Sequence, residues 1–371
     1  MSTLRFEPET EGSFYAVCKK RVEEHLRDAG RSQRAGWLLL VKFVILASLV
    51  IGCYAAILII GKGWILLPLG VIFAISALLL AINVGHDASH DAVFRSPLLN
   101  FIVQRVCFLL TGINGYLWRM RHLNSHHLFP NVNGSDTDID ENPVMRLSPN
   151  QPWRWHFQYQ YLYAPFMYLF AASHTTWWGD FIYLFKKQLA NMTNIKHPWY
   201  EYVLFFLSKA AYFVIVLVIP MLVLEIPWWQ VLLGYMVVKA IGSLVFIFLL
   251  IGTHFSDLAD FPVPAENGSV GRTWAEHNMA TACDWSPHSP VAHFVSGGVN
   301  AHAAHHLFPE ISHTRYRAIA RIIEQTAKEF GIQYNQVSMF GMVRSHFRFL
   351  YQLGRRPAAP ALASGMGAQS E

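Results

Sequence analysis

Trp64-Ile-Leu-Leu-Pro-Leu-Gly-Val-Ile-Phe-Ala-Ile-Ser-Ala-Leu-Leu-Leu-Ala-Ile82 runs, with only Asn83-Val84-Gly85 between, into His86-Asp-Ala-Ser-His90. The first part carries no charged side chain. It is long enough to cross a bilayer as a helix, because about 20 residues at 1.5 Å rise span a hydrocarbon core of about 30 Å. The second part sets two imidazoles four residues apart, which a helix presents on one face. A span that ends in metal-competent side chains predicts a helical membrane protein with a metal site just outside the bilayer core.

Three more segments have spanning length: Trp37 to Ile60, Tyr202 to Leu224 and Trp229 to Ile251. Lys42 lies near the start of its segment, where its side chain can snorkel. Lys209 and Pro220 interrupt the third run. The connections Gly61-Lys62-Gly63 and Glu225-Ile-Pro-Trp228 leave room only for tight hairpins. Two hairpins return the chain to its starting face, so the N-terminal segment, residues 83–201 and residues 252–371 share one side. Most Lys and Arg lie there, which makes that side cytoplasmic. Leu98 to Ile113 and Tyr161 to Ala172 are too short or too polar to span and read as interfacial or re-entrant.

Composition agrees. Of 371 residues, 53% are hydrophobic and 14% charged, against about 25% charged in an ordinary soluble domain. The net charge of +5 does not indicate nucleic acid, since no basic stretch accompanies a reading motif. It suits cytoplasmic loops facing anionic lipid. Cys18, Cys53, Cys107 and Cys283 form no CxxC pair, so neither a disulfide framework nor a thiolate zinc site is expected. The polar N-terminus excludes a cleaved secretory signal.

Three units follow: residues 1–35 as a cytosolic segment, 36–354 as the membrane domain, and 355–371 as a disordered Ala/Pro/Gly/Ser-rich tail. Residues 1–12 are expected to be disordered. Ser13 to Ala29 is expected to form an amphipathic helix lying on the bilayer, capped by Ser13 and ended by Gly30, with Phe14, Val17, Val22 and Leu26 as its apolar stripe.

Two further boxes join the first: His122-Leu-Asn-Ser-His126-His127 and His302-Ala-Ala-His305-His306. Eight of the 18 histidines thus fall in three short windows. One such pair is ordinarily a surface or hydrogen-bonded pair; three windows, each beside an apolar run, point to a two-metal centre. No HExxH motif accompanies them, and Glu-x-x-His occurs once, at Glu310-Ile-Ser-His313, where the soluble carboxylate di-iron design needs it on two helices; neither that design nor the metalloprotease zinc is expected. Imidazole sites hold iron, copper or zinc, and the ligands alone leave that choice open. Asp87, Asp91, Asp136, Asp138, Asp140 and Glu310 flank the boxes as candidates to orient ligand rings from behind, or as capping and solvated loop residues.

Asn83-Val-Gly-His-Asp-Ala-Ser-His90, Tyr116 through His127, Asn131 to Asp140, Asp284-Trp285, His288-Ser-Pro290, Gly297-Gly298 and His305-His306-Leu-Phe-Pro309 together resemble the membrane fatty-acid desaturase superfamily, nearest its bacterial linoleoyl-CoA desaturase-like, front-end-like branch. The likeness runs from about residue 15 to 335. It implies an all-α integral membrane protein in which four transmembrane helices carry a helical cytosolic cap with a histidine-ligated di-iron site. It also implies that His86, His90, His122, His126, His127, His302, His305 and His306 bind two irons, and that His254, just past the fourth span, is a ninth ligand. Asp87, Asp257 and Asn300 then support the site from behind, with Asn300 a candidate to hold a water. Two departures matter. His302 stands where front-end members carry Gln, and Leu128-Phe129-Pro130 follows the second box, so regiochemistry and substrate do not transfer.

The implied reaction is O2-dependent removal of two hydrogens from adjacent carbons of an acyl chain, with O2 as cosubstrate. Acyl-CoA, acyl carrier protein and membrane lipid are all possible carriers. Aromatics at Trp153, Trp155 and Tyr161 to Phe170 are candidates to line the substrate tunnel or to form an interfacial belt. The chain has no fused cytochrome b5 HPGG segment, no GxGxxG and no cysteine set for an iron–sulfur cluster. A separate ferredoxin or cytochrome b5 is therefore implied as electron donor. Arg315, Arg317 and Arg321 could dock it, or could form the solvated face of a helix Thr314 to Phe330 that turns Tyr316, Ile319, Ile323 and Phe330 inward. The expected location is a bacterial inner membrane with the site on the cytoplasmic face. The alternatives are a hydroxylase, ketolase or acetylenase using the same centre, and a metal transporter. Boxes outside the spans argue against the last, since transporters bind near the midplane.

Overall fold

The computed structural model describes residues 4–139 and 142–357. Asp140 and the tail beyond residue 357 lie outside the described residues. Four helices are long and apolar enough to cross a membrane: Trp37–Ile60, Leu66–Ser89, Trp199–Val223 and Trp228–Thr253. The first pair turns at Gly61, whose φ of 73° is the left-handed C-cap conformation that glycine adopts without strain. The hairpins also meet each other, as Lys62 pairs with Glu225 at 2.5 Å and Glu225 N donates to Gly61 O.

The second spanning helix extends past the Trp64 to Ile82 run. It passes through a π-helical turn at Ala81–Gly85 and ends in His86–Ser89. The first box is therefore carried on the rigid end of a spanning helix. The first and fourth helices present mostly outward-facing Leu, Ile, Val and Phe, as a lipid-facing wall requires.

The two shorter apolar stretches pack on the protein. Pro97–Leu109, capped by Ser96, buries Gln104, whose Nε2 donates to Gly115 O, and pairs Arg105 with Glu201 at 2.7 Å. Gln160–Tyr168 buries Ala164 and Tyr168 against the helix Met339–Gly354 and the fourth span. Tyr168 OH lies 2.7 Å from His346 Nε2.

Two expectations for the N-terminus are corrected. Within the stretch expected to be disordered, Arg5–Glu7 is a strand paired in parallel with Ser269–Thr273, and Phe6 stacks on Phe129. The following helix, Phe14–Asp28, is capped by Ser13 as expected but does not lay its apolar stripe on the bilayer. It buries Phe14, Cys18, Val22 and Leu26 against Ile319, Ile323 and Leu307. Cys18, at i+4 from Phe14, takes the place assigned to Val17, because the stripe follows the i, i+4 row that faces the helix Tyr316–Phe330. In that helix Tyr316, Ile319 and Ile323 point inward, whereas Phe330 at the end is 41% exposed.

Candidate metal centre

The three boxes and His254 converge. His86, His90, His122 and His305 form one group and His126, His254, His302 and His306 another, each with ligand nitrogens within 4.8 Å of one another. His127 lies between them: its Nε2 is 3.0 Å from His122 Nε2 and 2.9 Å from His305 Nε2, and its ring stacks on His306. All nine residues that the sequence marks as ligands thus meet in two adjoining shells.

The boxes do not each serve one shell, and local helix geometry explains why. The second box is a π-helical turn, in which His127 N donates to His122 O, five residues back. That wider turn stacks His127 near His122, where an α-helix would set them about 140° apart. His126 is thereby turned to the other shell. The third box is an ordinary α-helix, His302–Leu307, so His302 and His306 share a face, with their Nε2 atoms 3.2 Å apart, while His305 points to the first shell.

Nitrogens at these separations fit a bound ion. The Nε2–Nε2 edges are 2.7 Å for His302–His254, 3.1 Å for His254–His306, 3.1 Å for His122–His90 and 3.2 Å for His86–His122. Imidazole nitrogens ligating a first-row metal sit roughly 2.0–2.1 Å from it, and cis neighbours then lie about 3 Å apart. A ring of mutually facing lone pairs cannot be satisfied by hydrogen bonds among neutral imidazoles alone.

The rings are held from behind through Nδ1. His126 Nδ1 lies 3.2 Å from both Asp136 oxygens, His254 Nδ1 donates to Thr281 O at 2.9 Å, and His306 Nδ1 donates to Asn278 Oδ1 at 2.9 Å. Each contact fixes the tautomer that leaves Nε2 bare toward the cluster. Asp136 is itself held by the N–H groups of Asn131 and Asp138.

Burial, and after it the neighbouring charges, holds His90, His122, His127, His302, His305 and His306 well below the ordinary imidazole range. Burial likewise takes His254 down to about 3. His126 is the exception. Burial lowers it too, but the Asp136 and Asp138 carboxylates outweigh burial and raise it to about 9. Seven of these rings are thus kept neutral, which is the state that binds a metal.

The residues expected behind the ligands are different ones. Asp87 touches no ligand ring; it accepts from Ser312 Oγ at 2.8 Å and from His313 N and Nδ1 at 3.1 and 2.9 Å. Asp257 pairs with Arg348 at 2.9 Å and accepts from Ser345 Oγ. Asn300 spends its amide on Ser296 Oγ and Ser286 O. All three join other chain segments near the site and make none of their hydrogen bonds to the imidazole cluster. Asp91 pairs with Arg119 and Glu310 is exposed. Asn278 and Thr281 are supports that the sequence does not single out. Thr273-Trp-Ala-Glu276 is a capping box that marks the start of their helix, Trp274–Thr281.

Within the spanning bundle lies a cavity of about 540 Å³, lined by Leu78, Ser243 and Phe246 at one end and by Gly63, Trp64 and Gln230 at the other. Trp153, Trp155 and Tyr161 to Phe170 do not line it, because that segment is held on the cap side by Met339–Gly354. Leu78 and Phe246 belong to the apolar cluster that includes Ile82, Trp285 and Val299, just below the third box.

Comparison with known proteins agrees with this geometry. The chain is 29% identical over 357 residues to an acyl-lipid (8-3)-desaturase of Physcomitrium patens, covering 95% of this chain and 74% of that one. It is 27% identical over 358 residues to an sn-1 linoleoyl-lipid 6-desaturase of Synechocystis sp., covering 92% and 96%. The corresponding 6-desaturase of Arthrospira platensis is 28% identical over 291 residues, 78% of each chain. The fatty acid desaturase family model matches residues 62–338, a stretch that holds all nine converging histidines and three of the four spans. An enzyme that desaturates fatty-acyl chains in a membrane is what such a site and such relatives describe, and this chain belongs to the fatty acid desaturase family.

Proposed function

We propose that the nine imidazoles hold two irons, one in each shell, and that the enzyme desaturates the acyl chain of a membrane lipid at the cytoplasmic face of a bacterial inner membrane. The observation that carries this reading is the convergence of nine imidazoles from four separate segments, with no thiolate among them. His86, His90, His122, His127 and His305 serve one ion; His126, His254, His302 and His306 serve the other. Bound iron supplies the O2-dependent oxidation that takes two hydrogens from adjacent carbons. The protein holds the ligand tautomers through Asp136, Thr281 and Asn278, and it keeps bulk water from the cluster by burial.

A lipid carrier is favoured because relatives spanning nearly the whole chain are named acyl-lipid and linoleoyl-lipid desaturases. The desaturase unit is residues 36–354. Electrons come from a separate ferredoxin or cytochrome b5 that docks on the cytoplasmic cap, where Arg321 is exposed.

The test is expression in a host lacking the product, with lipid profiling by mass spectrometry and metal analysis of the purified protein. Two irons per chain and a product lighter by two hydrogens are expected. His126→Ala and His305→Ala should each remain in the membrane while losing iron and product. Zinc in place of iron, an oxygen-bearing product, or full turnover by either variant would refute the assignment.

A further inference from the structure

Lys42 does not snorkel. It lies in the second turn of the helix Trp37–Ile60 and is buried, with its Nζ 2.9 Å from His313 Nε2. His313 Nδ1 in turn lies 2.9 Å from Asp87 Oδ2, and His313 and Asp87 are buried as well. An ammonium only donates, so His313 Nε2 is the bare nitrogen and Nδ1 carries the proton that Asp87 accepts. A neutral imidazole thus joins a buried cation to a buried anion. Taking the ring away would part the two charges, which burial makes costly.

The anionic end of this chain of contacts is a pivot of the first box. Asp87 follows His86 on the helix His86–Ser89, and its carbonyl accepts from His90 N at 3.2 Å and from Ala92 N at 3.0 Å. Its carboxylate accepts from Ser312 Oγ, His313 N and His313 Nδ1. Ser312 stands seven residues beyond His305 in the chain. The ring centroids of His305 and His86 are 4.5 Å apart. The carboxylate therefore fixes the first box against the segment that leaves the third.

The third box has anchors of its own. Asp284 accepts from Ala303 N at 2.8 Å, and Asn278 Oδ1 accepts from His306 Nδ1 at 2.9 Å. Loosening Asp87 would thus free His86 and His90, which both belong to the first shell, and no member of the second.

We propose that His313, backed by Lys42, is a positioning residue for one ion of the pair: by holding Asp87 it sets His86 and His90 around the first shell and leaves the second shell as it is. His313 makes no hydrogen bond to a ligand ring; it acts through the segment that carries two of them. The inference rests on the two-ion reading of the site and not on which metal occupies it.

The test uses the full chain purified in detergent, freed of metal and titrated with Co2+, whose visible absorption reports each ion as it binds. His254→Ala, which strips the second shell, identifies the band of the first. The unaltered protein should take up two ions. His313→Ala should weaken the ion of the first shell about 10–100-fold and hold the other within about twofold. His313→Asn should restore most of that loss, because its amide N–H takes the place of Nδ1–H toward Asp87. Lys42→Met should weaken the same ion by a smaller factor, and it decides the matter should His313→Ala fail to fold. Equal weakening of both ions, no weakening in the folded variants, or a loss that His313→Asn leaves unrepaired overturns the proposal. Failure of the two-ion reading shows separately, in the unaltered protein: if that takes up no pair of ions, the reading falls and this proposal with it.

Discussion

At the scale of single residues, the site depends on which atom of each imidazole is left bare. Asp136 faces His126 Nδ1 with both oxygens, so Asp136→Asn should free that ring to turn and lower metal affinity or turnover about 10–100-fold. Metal titration and product yield of the variant check this. Asp284 offers a second residue-scale prediction. Its oxygens accept from Ala303 N at 2.8 Å and Tyr334 OH at 2.5 Å, and burial raises its carboxyl from 3.8 to about 7. The folded state therefore holds this proton more tightly than the unfolded chain does. The stability it contributes is fully present below pH 3.8 and is lost as pH rises to about 7. Asp284→Asn, which cannot ionise, should flatten that part of the thermal-unfolding profile; an unchanged slope between those limits would exclude Asp284 as its source. The converging imidazoles were legible in the sequence, because histidines clustered in three windows beside apolar runs point to one shared site. Their supports were not. Asp87, Asp257 and Asn300 sit near the boxes in the chain, but side-chain direction, which spacing does not encode, turns them toward His313, Arg348 and Ser286.

At the scale of elements, the spans could be read from length and hydropathy because lipid leaves the backbone no alternative to a helix. The π-helical turns could not, since Ala81–Gly85 and His122–His126 carry no residue that announces them. Both lie at the histidine boxes, and π-bulges often accompany functional sites. Gly297 and Gly298 stand in the sequence only as part of a pattern, and the structure gives the reason. Both have positive φ, 64° and 81°, and a Cβ on Gly298 would lie 2.6 Å from His313 Cβ. His313 is pinned between Asp87 and Lys42 Nζ, at 2.9 Å each, so it cannot retreat. Gly298→Ala should therefore destabilise the third box by a few kcal/mol, as strain at a left-handed position adds to the clash. A lowered melting temperature with reduced metal content is the expected result. Gly271, also at positive φ but with open space around it, should tolerate the change better and serves as the control.

At the scale of the molecule, the metal centre is the point where separate parts of the chain meet. Box one ends the second span, box two lies in the first cap segment, His254 follows the fourth span, and box three comes from the second cap segment. Removing the metal should therefore loosen the cap more than the bundle. A chelator-treated sample should show an earlier cap transition, read by hydrogen exchange at Trp274–Thr281 and His302–Leu307, while the spanning helices keep their protection. Uniform loss of protection would mean that the bundle also depends on the ions. The N-terminus belongs to this larger unit. Its strand and helix read as peripheral because three residues and one amphipathic stripe do not reveal their partners. They pack on residues some 260 to 310 positions later in the chain.

That spread of ligands has a consequence for how the enzyme is made. His86 leaves the ribosome 220 residues before His306, an interval on the order of tens of seconds at ordinary rates of synthesis. Throughout it neither shell can close, and the early boxes stand open to whatever divalent ion the cell offers. An ion held by a complete shell can therefore be enclosed only after the third box has emerged, so the metal supply at that late moment should weigh more than the supply during membrane insertion.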